Sequence, residues 1–216
     1  ARYFQFCIRL TTLKLRSIEI IGPYSFASIQ LLNTIELPKY LKCIDSFVFK
    51  GCHSLSHIII PSSVTSIGKF AFYGCCSLKE IVISSSVKRI ESYSFKDCSS
   101  LTKISIPSSV KSIGEHSFEN CISLKEIIIF SYLTKIEKST FQGCVSLTKL
   151  SIPFSVIEID SYSFCGCLSL VEMQIPSSVE LIRSYAFKDC TSIEEISGLP
   201  NTISSIGEYS FSGCSS

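Results

Sequence analysis

The apolar residues of this chain fall at intervals that repeat from one end to the other. Between Ile58 and Leu78 they stand at Ile58, Ile60, Val64, Ile67, Phe72, Cys75 and Leu78. The next stretch places Ile81, Ile83, Val87, Ile90, Phe95, Cys98 and Leu101 at the same intervals. The one after it gives Ile104, Ile106, Val110, Ile113, Phe118, Cys121 and Leu124, so the period is 23 residues. One slot holds phenylalanine nine times, at Phe26, Phe49, Phe72, Phe95, Phe118, Phe141, Phe164, Phe187 and Phe211. The repeat is one residue short between Cys7 and Phe26 and one residue long in ISGLPNTI, near Gly198.

Each unit carries its own element signals. In Leu78–Ile83, Ile81 and Ile83 face one way and Glu80 and Val82 the other, the alternation of a short strand. Pro61, Pro107, Pro153 and Pro176 end that strand, because proline cannot donate to a ladder. The residue before the repeated cysteine is Gly51, Gly74, Asp97, Asn120, Gly143, Gly166, Asp189 or Gly213. All tolerate positive φ, which predicts a left-handed turn residue once per unit. A single unit cannot shield its seven apolar residues, whereas units stacked in register can. The pattern therefore predicts a solenoid of about nine rungs, with parallel strands about 4.8 Å apart and a strand face on the order of 40 Å long. It covers 1–216 as one domain.

Composition narrows the function. Apolar residues make up 46% of the chain, charged residues 18%, and the net charge is +2, which describes a folded protein. Lysine and arginine are interspersed with glutamate, so nucleic acid is not an expected partner. No apolar run approaches the roughly 18 residues of a membrane span. The start, ARYFQFCIRL, lacks a signal-peptide layout and the end stops at GCSS, as in a piece of a longer chain.

Twelve cysteines invite a disulfide reading. Their spacing argues against one: Cys52, Cys75, Cys98, Cys121, Cys144, Cys167 and Cys190 recur every 23 residues, and Cys214 follows after 24. This is a structural core column, a tight inward slot filled by a small hydrophobe, and Ile29 in the same slot fits that reading. In-register Cβ atoms near the strand spacing of about 4.8 Å lie slightly too far apart for a disulfide. The cysteine count then says nothing about the redox compartment. Cys43, Cys76 and Cys165 lie outside the column and are the candidates for exposed or reactive thiols. Cys165-Gly-Cys167 has no second pair, so no zinc site is expected. His53 and His57 bracket a turn-to-strand step and share no helical face. No HExxH, GxSxG, P-loop or dinucleotide motif occurs, and the chain is expected to be neither an enzyme nor a cofactor binder.

The layout L-x-x-I-x-I-P-x-x-V-x-x-I-x-x-x-x-F-x-x-C, written out in Leu101–Cys121 as LTKISIPSSVKSIGEHSFENC, resembles the BspA-type leucine-rich repeat. That family occurs in surface antigens of mucosal anaerobic bacteria and parasitic protists. The resemblance covers nearly all of the chain. It implies a curved leucine-rich-repeat solenoid with strands on the concave side and turns with short helical segments on the convex side. It further implies display at a cell surface, or secretion, and binding to host or microbial surface and matrix proteins. It implies no catalytic residue. Departures from the layout are Ile29 in the cysteine slot, Ser84 and Phe130 in the proline slot, and the insertion near Gly198, all expected to bend local geometry only.

Two outward columns of the strands form the candidate binding face. One runs His57, Glu80, Lys103, Glu126, Lys149, Glu172, Glu195, and its charge alternates from Glu80 to Glu172. It reads either as a ladder of ion pairs between rungs, each contributing about 0.2–1 kcal/mol, or as a recognition surface. The other runs Ile59, Val82, Ser105, Ile128, Ser151, Gln174, whose β-branched residues suit a contact surface and also ordinary strand propensity. A third column, Tyr24, Phe47, Phe70, Tyr93, His116, Ser139, Tyr162, Tyr185, Tyr209, either shields the phenylalanine spine or supplies contacts. The serine pairs, such as Ser62–Ser63 and Ser108–Ser109, are expected to bond nearby backbone in the turn. The expected function is a non-enzymatic binding module; the alternative is a structural spacer that self-associates through its open ends.

Overall fold

A computed structural model describes residues 4, 7, 9–193 and 199–214. Eight three- or four-residue strands form one parallel sheet in chain order: Thr12–Lys14, Thr34–Glu36, His57–Ile59, Glu80–Val82, Lys103–Ile106, Glu126–Ile129, Lys149–Ser151 and Glu172–Gln174. We call this the long sheet. Partners lie 23 residues apart, as in Ile58↔Ile81 and Ile104↔Ile127. The first pairing, Thr12↔Thr34, spans 22, and Leu181↔Ser205 spans 24, matching the one short and one long unit counted along the chain. The Gly198 insertion itself lies outside the described residues.

After each strand the chain turns a corner to a second side, where the first two rungs form single bridges at Ile21 and Ile44 and the later ones form two-residue strands. These build two short ladders. Ser66–Ile67, Arg89–Ile90 and Ser112–Ile113 form one; Lys135–Ile136, Glu158–Ile159, Leu181–Ile182 and Ser205–Ile206 form the other. The third side of each rung is a run of tight turns. Short helices were expected there, and the described residues contain none. Two features prevent them. Each rung holds two positive-φ residues four apart, for example Phe70 at 56° and Gly74 at 70°, and a right-handed helix admits neither. In addition, the N–H groups of Phe70, Phe72 and Gly74 donate to Ser92, Ser94 and Lys96 of the next rung instead of reaching back along their own.

The core is a set of columns. Phe26 through Phe187 are at most 2% exposed, and their rings stack with centroids 5.1–5.6 Å apart and planes within 17°. Centroids further apart than the strands mean slipped rings, the offset arrangement that aromatic quadrupoles prefer. Phe4 extends the spine by one ring, 5.2 Å from Phe26. It was not recognised along the chain because its unit is a residue short.

The cysteine column does more than fill space. Each thiol donates to the carbonyl of the phenylalanine in the preceding rung: Cys75 to Phe49, Cys98 to Phe72 and Cys121 to Phe95, all at 3.2 Å. The same carbonyl also accepts the N–H of the cysteine in its own rung, as Phe49 O does from Cys52. Both lone pairs of a buried oxygen are thereby used. All described cysteines are free thiols.

Candidate functional site

The outward side of the long sheet is set by strand alternation: Ile58, Ile81 and Ile104 point into the core, so His57, Ile59, Glu80, Val82, Lys103 and Ser105 point out. Backbone register aligns His57, Glu80, Lys103, Glu126, Lys149 and Glu172 in one column. Within it, Lys103 and Glu126 close an ion pair of 2.7 Å between half-exposed side chains. Among the described side chains, neither Glu80–Lys103 nor Glu126–Lys149 comes within ion-pair distance, so the alternating ladder is realised at one step. Glu195 and the side chain of Glu172 lie outside the described residues.

The neighbouring column begins further up than the sequence suggests. Lys14 and Glu36 occupy it first and pair at 2.8 Å. Ile59 and Val82 follow as direct register partners, 68% and 72% exposed. Two β-branched apolar side chains thus stand together in solvent on the sheet. Ser105, Ser151 and Gln174 are exposed, while Ile128 is half-buried. Beside the N-terminal ends of these strands runs a shallow trough of about 470 Å³, lined by Thr11, Leu31, Asn33, Ser54, Ser56, Ser77, Lys79 and Ser100. Five of these eight residues carry a hydroxyl group, and Ser56 donates to Asn33 Oδ1 at 2.6 Å.

The third column is a stack of rings. Tyr24, Phe47, Phe70, Tyr93 and His116 stack face to face at 4.4–4.8 Å, with planes within 7°. The stack is interrupted at Ser139, which is buried, and resumes at Tyr162, Tyr185 and Tyr209. Every residue of this column has positive φ, between 53° and 63°. For bulky residues that backbone is unfavourable by about 1–2 kcal/mol, which stacking of half-buried rings offsets. His116 Nδ1 lies 2.7 Å from Glu119 Oε2, and Lys96 reaches the same oxygen at 2.6 Å.

Other predicted sites are dispersed. His53 is exposed and Cys43, Cys76 and Cys165 are half-buried. Burial raises the thiols of Cys43 and Cys165 above the ordinary value, reinforced by Asp45 in the first case. The serine pairs were expected to bond nearby backbone in the turn, and the second serine does bond backbone, that of the preceding rung: Ser86, Ser109 and Ser178 donate to Val64, Val87 and Val156 at 2.6–2.8 Å, and Ser155, which follows Phe154, donates likewise to Leu133. The bond staples one rung to the last. One cluster was not anticipated. On the second short ladder Lys135 meets Asp160 at 2.7 Å, Glu158 at 3.4 Å and Glu137 at 3.5 Å, and Arg183 meets Glu158 at 2.8 Å. Desolvation opposes charge on Lys135, yet Asp160, Glu137 and Glu158 together hold its ammonium above the usual range.

The family model for the BspA type leucine rich repeat region matches residues 1–125 and 88–216 in six copies. The chain belongs to the BspA-type leucine-rich-repeat family. Among solved structures it is similar to a leucine-rich repeat protein from Eubacterium ventriosum, with 23% identity over 94% of this chain and a TM-score of 0.73. A leucine rich cell surface protein from Faecalibacterium prausnitzii is 29% identical over 92% of the chain, with a TM-score of 0.59. The pneumococcal vaccine antigen PcpA is 20% identical over 95% of the chain, with a TM-score of 0.51. The chain spans 58%, 63% and 66% of those three proteins. No match is found among curated proteins. The family gives this chain a repeat scaffold, with the solenoid as its whole described architecture.

Proposed function

We propose that this BspA-type solenoid is a non-enzymatic binding module of a cell-surface protein, and that the outward side of the long sheet is its contact face for a host or microbial surface or matrix protein. The observation that carries the reading is the Ile59–Val82 pair, held in register and about 70% exposed between charged neighbours. Beside it in the two columns stand Glu36, His57, Glu80 and Lys103, a polar and charged rim about an apolar centre, the arrangement in which interface energy concentrates. Surface display is supported by the description of the Faecalibacterium relative as a cell surface protein.

The test replaces Ile59 and Val82 with Asp, together and with Ile128→Asp in a second variant. Attachment to intact cells and to immobilised matrix proteins is then measured. The expected result is loss of attachment with an unchanged circular dichroism spectrum. Full attachment by the folded double variant would remove the sheet face from consideration.

A further inference from the structure

Because the rungs repeat, each surface position has internal controls, and departures stand out against them. From the third long-sheet strand onward the corner after the strand is Pro61–Ser63, Ser84–Ser86, Pro107–Ser109, 130–132, 153–155 and 176–178, whereas the two earlier corners, 16–18 and 38–40, carry Arg16 and Lys39. None of the eighteen positions in the six later corners is charged. Two successive rungs break the pattern: the corner reads Phe130-Ser131-Tyr132 in one and Pro153-Phe154-Ser155 in the next.

The departure has structural consequences. With Phe130 in place of proline, an N–H is available and donates to Ile106 O at 2.9 Å. The turn bond that closes the other corners, such as Val110 N to Pro107 O at 3.0 Å, has no counterpart at Leu133 among the described residues. Tyr132, like Tyr40 four rungs earlier, replaces the serine that staples most rungs to the last. Ser131 turns inward, 2% exposed, and its hydroxyl has no hydrogen-bond partner among the described residues. The short ladder is interrupted at this point, between Ser112–Ile113 and Lys135–Ile136. In exchange the corner projects three rings into solvent: Phe130 at 62%, Tyr132 at 76% and Phe154 at 90% exposed. The core uses none of them.

We infer that this corner is a second binding surface that stacks on the pyranose rings of a neutral glycan. The rings stand exposed at a corner of the solenoid, and a ligand that brings flat apolar faces to them, as the C–H faces of sugars do, can stack there. Rungs about 4.8 Å apart carry Phe130 and Tyr132 on one level and Phe154 on the next, a step close to one sugar unit. Serines flank the rings along the edge, with Ser108 and Ser177 exposed on either side to bond sugar hydroxyls. The two ring-bearing corners and those on either side, 107–109 and 176–178, carry no charge, which offers nothing to an anionic chain or an acidic lipid surface. The surface is separate from the long-sheet face and does not rest on that reading.

The test uses two variants, Phe154→Ser and Tyr132→Ser, each restoring the serine that most other rungs carry at that position, so folding is retained. Calorimetry and tyrosine fluorescence are recorded against soluble hexamers of β-1,4-glucose, β-1,4-N-acetylglucosamine and α-mannose. A hexauronate and phosphatidylcholine vesicles complete the series. The expected result is millimolar or tighter binding of at least one neutral hexamer, falling at least about tenfold in each variant and unchanged in the Ile59→Asp, Val82→Asp protein. Three outcomes would overturn the inference: no neutral hexamer binds, binding survives both substitutions, or the hexauronate or the vesicles bind more tightly than any neutral sugar.

Discussion

Alkaline pH should unfold this protein cooperatively, and the cysteine column is the reason. Seven thiols, those of Cys52, Cys75, Cys98, Cys121, Cys144, Cys167 and Cys190, are fully buried. Burial penalises the thiolate, so their titration is pushed up from 9.0, to about 12 for Cys52, Cys144 and Cys190 and well above the ordinary value for the others. A folded pKa above the unfolded one means that the stability is fully present below about pH 9 and is lost as pH rises toward about 12. At pH 10 each thiol released by unfolding ionises with a gain of about 1.4 kcal/mol, while in the native column it remains protonated. Seven such groups amount to about 10 kcal/mol, comparable with the whole stability of an ordinary domain at about 5–15 kcal/mol.

The assay is urea denaturation under reducing conditions at pH 8, 9 and 10, followed by circular dichroism. The midpoint should fall steeply between pH 9 and pH 10. Removing two thiols in Cys98→Ala, Cys121→Ala lowers stability at pH 8 but should shrink the further loss at pH 10 by about 2.8 kcal/mol, since two fewer groups ionise. Lysine and tyrosine titration is shared by both proteins and cancels in the comparison. A midpoint that holds from pH 8 to pH 10, or falls equally in both proteins, would refute the account of the column.

Replacing Phe118 with Ala removes a ring stacked at 5.4 and 5.6 Å between Phe95 and Phe141 and should cost about 3–5 kcal/mol, read as a lower urea midpoint; a loss below about 1 kcal/mol would make the spine dispensable. The staple is tested by Ser109→Ala, which should cost about 0.5–1.5 kcal/mol by the same titration. Tyr132→Ser should run the other way and raise the midpoint by regaining a staple. Gly74→Ala places a side chain at φ 70° and should cost about 1–2 kcal/mol, with Gly74→Asn clearly milder because Asn120 already holds the equivalent position at φ 58°.

What the chain disclosed in advance is what repetition encodes. Phe72 and Cys75 recur at a fixed interval because each column accepts one shape, and Gly74, Asp97 and Asn120 share a slot because its backbone is left-handed. The register, including the short and the long rung, follows from counting. Other features leave no such trace. Tyr24, Phe70 and His116 sit at positive φ without the glycine or asparagine that usually signals it, since ring stacking stabilises the conformation. A cysteine that only fills space and one that donates to a carbonyl have the same sequence pattern. Phe4 escaped because its unit is shortened. Lys135, Glu137, Glu158 and Asp160 are brought together by stacking across rungs, which no local window displays. The Ile59–Val82 pair was visible as a pattern, but its exposure depends on what stands beside it.

The rungs are joined mainly through backbone carbonyls, and this explains how the surface can depart from the repeat without disturbing the interior. Strand pairing, the cysteine donors and the serine staples all end on a main-chain oxygen of the neighbouring rung, so none depends on which side chain that neighbour carries. The corner at Phe130–Tyr132 shows the result. It lacks a staple, a turn bond and a step of the short ladder, yet Ile106↔Ile129 on one side and Leu150↔Ile127 on the other keep their register in the long sheet. Cys144 still donates to Phe118 across that rung at 3.2 Å. Losses of about 1 kcal/mol each stay local because nearest-neighbour contacts elsewhere on the same rung hold it in place. A scaffold locked in this way can change an outward residue on any rung, so the fold itself does not require Ile59, Val82 or Phe154 at their exposed positions.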